Sequence, residues 1–284
     1  MPLPVDKLGT VYPPRRATVE PQRAIEYARA TNDLNPAYLS SKYAPPVFGV
    51  VPSWESMGIA VGDIVPAESL MMIVHGEQDM YFHRPLAPGR ELITSTEAYS
   101  VRVASSGTRF AVRVTSNDAE DGQPVLEQYV TMFIRGLVDG DDGGPDTPDH
   151  VFPAHARSVE PKEVSFHVDA DQTFRYARAS GDEMPIHVDD AVAKSVGLPG
   201  IIAHGLCTLA MVSKQAIGVL AAGDPERLRR LAARFAKPVF PGNDVTVRFY
   251  DLGASGNRSA VAFEAFSLGE TVLSNGRVEL ATGS

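Results

Sequence analysis

Apolar positions along the chain follow two periods, and the two recur in the same order twice. In residues 202–220 the apolar Leu206, Leu209, Ala210, Val212, Ala216, Ile217 and Leu220 keep helical spacing. So dense a set predicts a helix covered on most sides. Shorter helical patterns carry Tyr27 and Tyr176. In the second of these Asp171 stands where an N-cap belongs, with Phe174 and Ala177 at helical spacing. Two-residue alternation predicts strands over 90–102, 109–115 and 126–135, and again over 244–250, 259–266 and 271–280. Short turns between consecutive strands imply antiparallel pairing. A sheet wrapped on one buried helix is the simplest way to cover both apolar faces. The expected class is therefore α+β.

The wording of the chain repeats as well as its pattern. Tyr27 to Tyr38 reads YARATNDLNPAY, and Tyr176 to His187 reads YARASGDEMPIH, with six of twelve positions identical at an offset of 149. Phe82 to Gly89 reads FHRPLAPG, and Phe235 to Gly242 reads FAKPVFPG, at an offset of 153. Two matches in the same order point to duplication of one module of roughly 130 residues. Between the copies, 139–153 reads DGDDGGPDTPDHVFP, acidic, rich in Gly and Pro, and without either period. Such composition predicts a solvated linker. The expected organisation is a first module over 1–138, a linker over 139–161, and a second module over 162–284.

Charge and cysteine content narrow the functional classes. The 284 residues include 26 Lys and Arg against 35 Asp and Glu, a formal charge of −9. That balance argues against nucleic acid as the main partner, while leaving room for a local basic patch. The single cysteine, Cys207, excludes an intrachain disulfide and a cysteine-built metal site, which fits a reducing, cytoplasmic setting. The apolar stretch 205–222 is broken by Lys214 and Gln215 and is too polar to span a bilayer, so no membrane partner is expected. None of the seven histidines falls in an HExxH spacing, and GxSxG, Walker and GxGxxG patterns are missing. Neither a metal nor a cofactor is expected.

Two features carry candidate chemistry. Asp182 and His187 flank a segment in which Pro185 keeps Met184 extended. A loop of that length can turn a carboxylate and an imidazole toward one water, as acid–base chemistry requires. It can equally end one helix and cap the next. Gly205 follows His204 where the long apolar helix begins. Free N–H groups there, with the helix dipole, stabilise a developing oxyanion. Close packing of helix on sheet would also call for glycine. Cys207 reads as a packed thiol.

The segments YARASGDEMPIHVD, GLPGIIAHGLCT and ARFAKPVFPG, in that order, resemble the MaoC-like (R)-specific enoyl-CoA hydratases. The likeness is to the double-hotdog hydratase 2 type of peroxisomal multifunctional enzymes. PPVFGVVPSWESMG and IVHGEQDMYFHRPL resemble that type's N-terminal module. The resemblance implies two tandem hotdog modules, each a curved antiparallel sheet around a central helix. It implies a hydro-lyase of fatty acid metabolism that adds water reversibly to trans-2-enoyl-CoA, giving (3R)-3-hydroxyacyl-CoA without a cofactor. Asp182 and His187 would be the catalytic pair, and Gly205 the oxyanion donor. His75, Gly76 and Phe235 would contact the acyl-CoA, and a homodimer is implied. Lys237, with Arg234 and Arg84, is a candidate for the CoA phosphates. One departure stands out: Met184 occupies a position where the family has Asn, and a thioether cannot replace an amide in hydrogen bonding. Tyr38 replaces the histidine in the first copy, so one active site per chain is expected, with the first module shaping the acyl pocket. The alternatives are a non-catalytic acyl-CoA-binding or partner subunit and a hotdog thioesterase.

Overall fold

The computed structural model describes residues 1–282. Its helices are α1 (Pro21–Ala30), α2 (Pro36–Leu39), α3 (Trp54–Ile64), α4 (Gln172–Ser180), α5 (Asp190–Ser195) and α6 (Gly205–Leu220). Its first five strands are β1 (Arg15–Thr18), β2 (Ile73–Phe82), β3 (Glu91–Ala104), β4 (Gly107–Asp118) and β5 (Pro124–Arg135). The second five are β6 (Lys162–His167), β7 (Leu228–Phe235), β8 (Asp244–Ser255), β9 (Arg258–Ser267) and β10 (Glu270–Ala281). The six strands expected from alternation are β3, β4, β5, β8, β9 and β10, each longer than its pattern.

One compact unit comprises Met1–Thr18, Pro52–Arg84 and Arg90–Asp149. Its strands run in the order β1-β3-β4-β5-β2, every pair antiparallel. Helix α3 buries Met57, Ala60 and Ile64, a spacing of three and four residues that sets one face on the sheet. Ser56, on the same face, satisfies its hydroxyl on Thr96 Oγ1 at 2.8 Å.

The other unit comprises Val19–Val51, Pro85–Gly89 and His150–Ser284. Its strands run β7-β10-β9-β8-β6, again antiparallel. Helix α6 is the covered helix expected from its apolar density: every residue from Leu206 to Ser213 is buried, and so are Ala216 and Ile217. Helices α1 and α4, the two YAR helices, both lie in this unit. Tyr27 and Tyr176 are buried there with ring centroids 5.3 Å apart and hydroxyls 3.2 Å apart.

Sequence repeat and compact unit thus do not coincide. The segment 19–51, expected within the module 1–138, packs in the second unit because α1 buries Ala24, Tyr27, Ala28 and Ala30 and hydrogen-bonds to α4. The expected linker holds no helix or strand of its own over 139–153 and is mostly exposed, but part of it is fixed to the first unit. Residues 142–146 pack along β3: Val101 and Gly143 exchange backbone hydrogen bonds at 2.9 and 3.0 Å, and Arg102 pairs with Asp146 at 2.7 Å. Glycine is needed there, since a Cβ on Gly144 would collide with the Tyr99 carbonyl. Further on, Phe152 packs edge-on against Tyr250 at 5.2 Å, under the Arg157 guanidinium.

Candidate active site

The site is assembled where α4 stops. Gly181 takes a left-handed conformation, φ 78°, that reverses the chain. The last carbonyls of α4 are covered by Arg23 of α1, whose Nε and Nη2 donate to Ala179 and Ser180, each at 2.8 Å. At the helix's other end Asp171 occupies the N-cap position without making the expected cap bond. Its carboxylate accepts from Arg175 Nε at 3.0 Å instead. Phe174, expected on the apolar face, is partly exposed.

Beyond Gly181 the loop closes on itself. Ser180 Oγ accepts the Asp182 N–H at 3.1 Å, and Asp182 Oδ1 accepts the Met184 N–H at 3.2 Å. Met184 is extended before Pro185, and Pro185–His187 forms one 3-10 turn. The next helix, α5, is capped by Asp189, which accepts from Ala191 and Val192, so His187 is not spent on capping. Instead its Nδ1 lies 2.8 Å from the Ile202 carbonyl. A carbonyl only accepts, so Nδ1 carries the proton and Nε2 holds a lone pair.

A third residue joins the pair. His204, buried to 1% exposure, stacks on His187 with centroids 3.8 Å apart and planes 27° apart. Its Nε2 donates to the Asp182 carbonyl at 2.9 Å. Nitrogen and carboxylate atoms of Asp182, His187 and His204 all lie within 4.8 Å of one another. A metal about 2 Å from both imidazoles would have to lie near both ring planes. Nearly parallel stacked rings have no such point close by, so the trio suits proton chemistry better than metal binding. Burial lowers the His187 pKa, and burial together with the neighbouring His187 lowers that of His204 to about 4. Both rings are neutral at pH 7. Sequence reasoning singled out His204 with Gly205 at a helix start, but gave the role there to the glycine and none to the histidine.

Gly205 opens α6, and no side chain caps that end, which leaves donor capacity on the first turn. The need for glycine is steric: a Cβ would lie 2.9 Å from Phe235 Cδ1. Phe235 ends β7 and is part-buried, whereas Met184 and Lys237 are exposed. These residues all belong to the second unit. His75 and Gly76 lie on β2 of the first unit, where the register shifts between His75 and Glu77. Among the phosphate candidates Arg84 is already engaged, bonded to Asp121 through two 2.8 Å contacts. Cys207 is the packed thiol expected, its pKa raised by burial.

The first-copy counterparts differ in kind. Asp33 is buried, which raises its pKa to about 6. Tyr38 is buried with a hydroxyl that meets no partner among the described residues. Asp33 lines a cavity of about 330 Å³ together with Asn32, Leu34 and Lys214.

Comparison with known proteins places the chain in a family. Residues 153–266 match the family described as MaoC like domain, and residues 37–136 match the MFE-2 hydratase 2 N-terminal domain. The 3-hydroxyacyl-thioester dehydratase Y of Mycobacterium tuberculosis is 30% identical over 228 residues, 78% of this chain and 76% of that protein. A probable enoyl-CoA hydratase 2 of Dictyostelium discoideum is 26% identical over 210 residues, 72% of this chain and 69% of its own. The crystal structure of a MaoC-like dehydratase from Phytophthora capsici superposes with a TM-score of 0.82 at 26% identity, covering 99% of this chain and 98% of that one. The architecture is the double hotdog.

Proposed function

The chain belongs to the MaoC-like dehydratase family and is a hydratase/dehydratase, a hydro-lyase; on that premise we propose that it adds water reversibly to trans-2-enoyl-CoA, giving (3R)-3-hydroxyacyl-CoA. The observation that carries this reading is the pairing of the Asp182 carboxylate with a neutral His187 beside the uncapped start of α6.

The chemistry follows from the tautomer. With Nδ1–H held by Ile202, His187 meets the water as a base at Nε2. Asp182 accepts the second hydrogen of that water and fixes its direction. The water oxygen bonds to Cβ, and the Cα–Cβ π electrons move toward the thioester carbonyl as an enolate. The Gly205 N–H donates to that oxygen, a bond worth roughly 3–4 kcal/mol in the transition state. The imidazolium then returns the proton to Cα from the same face, so OH and H add together and His187 is restored. Dehydration is the reverse.

The finer assignments belong to the same proposal. Phe235, Met184, His75 and Gly76 contact the acyl-CoA, and the exposed Lys237 meets a CoA phosphate. The chain works as a cytoplasmic homodimer, a reading supported by its family resemblance and its one buried thiol. Among the described residues no helix is long and apolar enough to cross a membrane.

Loss of enoyl-thioester absorbance with crotonyl- and longer enoyl-CoAs tests the proposal, with the product resolved as R or S. Asp182→Asn and His187→Ala are expected to lower kcat by about 10²–10⁴-fold. Release of free CoA thiol would identify a thioesterase. Acyl-CoA binding without turnover at any chain length would identify a binding subunit.

A further inference from the structure

We infer that His204 is a positioning residue for this reaction, holding the His187 imidazole and the Asp182 loop in register from the N-cap of α6. The inference rests on the hydratase reading of the same site. Three contacts of one buried ring carry it. Its Nε2–H donates to the Asp182 carbonyl at 2.9 Å, 22 residues away along the chain. Its face lies on His187 at 3.8 Å. Its other face region meets Tyr176 of α4 at 4.8 Å, and Tyr176 is itself bonded to Tyr27 of α1. The ring therefore ties the catalytic loop, the base and the helix start carrying Gly205 to the pair of YAR helices.

The residue type is what such a role requires. An aliphatic side chain would fill the space without holding the Asp182 carbonyl. An amide would hold the carbonyl without offering an aromatic ring face to stack on His187. Imidazole does both, and it does so uncharged. A fixed positive charge at this position would oppose protonation of His187 during turnover. The His204 Nδ1 is buried and meets no hydrogen-bond partner among the described residues, so the Asp182 carbonyl is the ring's polar contact there. The groups facing His187 are Asp182 on its own loop, the Ile202 carbonyl, and His204 at α6 with Tyr176 behind it.

Two substitutions separate the two contacts. His204→Gln keeps a donor for the Asp182 carbonyl and removes the stacking face. His204→Phe keeps the face and removes the donor. Both are expected to lower kcat by about 10–100-fold with KM changed by less than about threefold, the signature of misplaced catalytic groups. Only the Gln variant exposes His187 to water, so only there does the acid limb of kcat/KM move to higher pH. Nitrogen-15 histidine spectra of the resting protein provide a readout independent of turnover. They are expected to show His187 protonated at Nδ1 and titrating below an ordinary histidine, with the titration moving upward in the Gln variant. If the wild type turns over no enoyl-CoA, the hydratase reading fails and the spectra alone decide the positioning role. The inference is overturned if both variants keep kcat within twofold with an unmoved acid limb and an unmoved His187 titration. It is equally overturned if the loss lies in KM alone, or matches the fraction unfolded at the assay temperature.

Discussion

At the scale of single residues, the site is governed by what each side chain leaves no room for. Phe235 presses on Gly205 so closely that a Cβ there would lie 2.9 Å from the ring. Gly205→Ala must therefore push Phe235 or tilt the first turn of α6, and we expect kcat to fall about 10²-fold, the effect of a displacement near 1 Å. Phe235→Leu should restore part of that activity in the double variant, a coupling that a double-mutant cycle measures directly. Burial also gives two groups opposing pH responses. His204 has a pKa lowered to about 4, so the unfolded chain binds its proton first as pH falls below about 6.5, and stability is lost between about 6.5 and 4. Asp33 has a pKa raised from 3.8 to about 6, so its contribution is present at low pH and is lost as pH rises through that window. The slopes partly cancel in the wild type. Asp33→Asn keeps an acceptor for the Asn35 N–H, which Asp33 Oδ1 takes at 3.2 Å, and removes the charging cost. It is expected to raise stability at pH 8 by up to about 3 kcal/mol and to change little at pH 4, as thermal unfolding at the two pH values would show. No gain at pH 8 would mean that Asp33 is already ionised at no cost.

At the scale of elements, the catalytic loop depends on how two short helices end. Arg23 of α1 covers the C-terminal carbonyls of α4, where a cation also complements the helix dipole. Arg23→Met keeps most of the stem and removes the donors. We expect a stability loss of about 1–2 kcal/mol and a proteolytic cut within 181–187 that the wild type resists. Unchanged protection would show that Gly181 alone fixes the turn. Helix α6 and strands β3, β4, β5, β8, β9 and β10 could be read because each buries one regular face, and burial imposes its period on the residues. Strand β2 was not read because Gly76 and Glu77 interrupt its alternation at the register shift. Strand β7 was not read because Arg229 and Arg230 stand among its apolar residues, and Arg230 is buried against Glu279 at 3.4 Å. The pair Asp182 and His187 was legible as a loop of fixed spacing. His204 was legible only as the residue before Gly205; its role was not, because it lies in a stacking partner 17 residues away, and no local pattern records such a contact. The packing of 142–146 along β3 was hidden for a related reason: glycines read as solvated linker are also what close backbone approach requires.

At the scale of the whole molecule, the duplication supplies two copies of one motif, and the copies have diverged where chemistry is decided. In the second copy a part-buried carboxylate faces a neutral imidazole with its lone pair available. In the first, Asp33 and Tyr38 are buried, and burial raises both pKa values; the phenol that stands in the place of the histidine cannot act as a base near neutral pH. The Asn35 amide of that copy is committed elsewhere, donating to the Gly223 carbonyl at 2.8 Å. The first motif thus keeps the helix, the turn and the tyrosine contact that organise α1 against α4, and lacks the imidazole that partners the carboxylate in the second copy. One active site per chain is therefore expected. Calorimetric titration with a non-reacting acyl-CoA analogue is expected to give one binding event per chain. Asp33→Ala is expected to keep turnover within about threefold, while Asp182→Ala lowers it by about 10²-fold or more. Equal losses in the two variants, with both proteins folded, would require the first motif to take part in the reaction, because removal of a merely buried carboxylate leaves the Asp182 and His187 geometry in place.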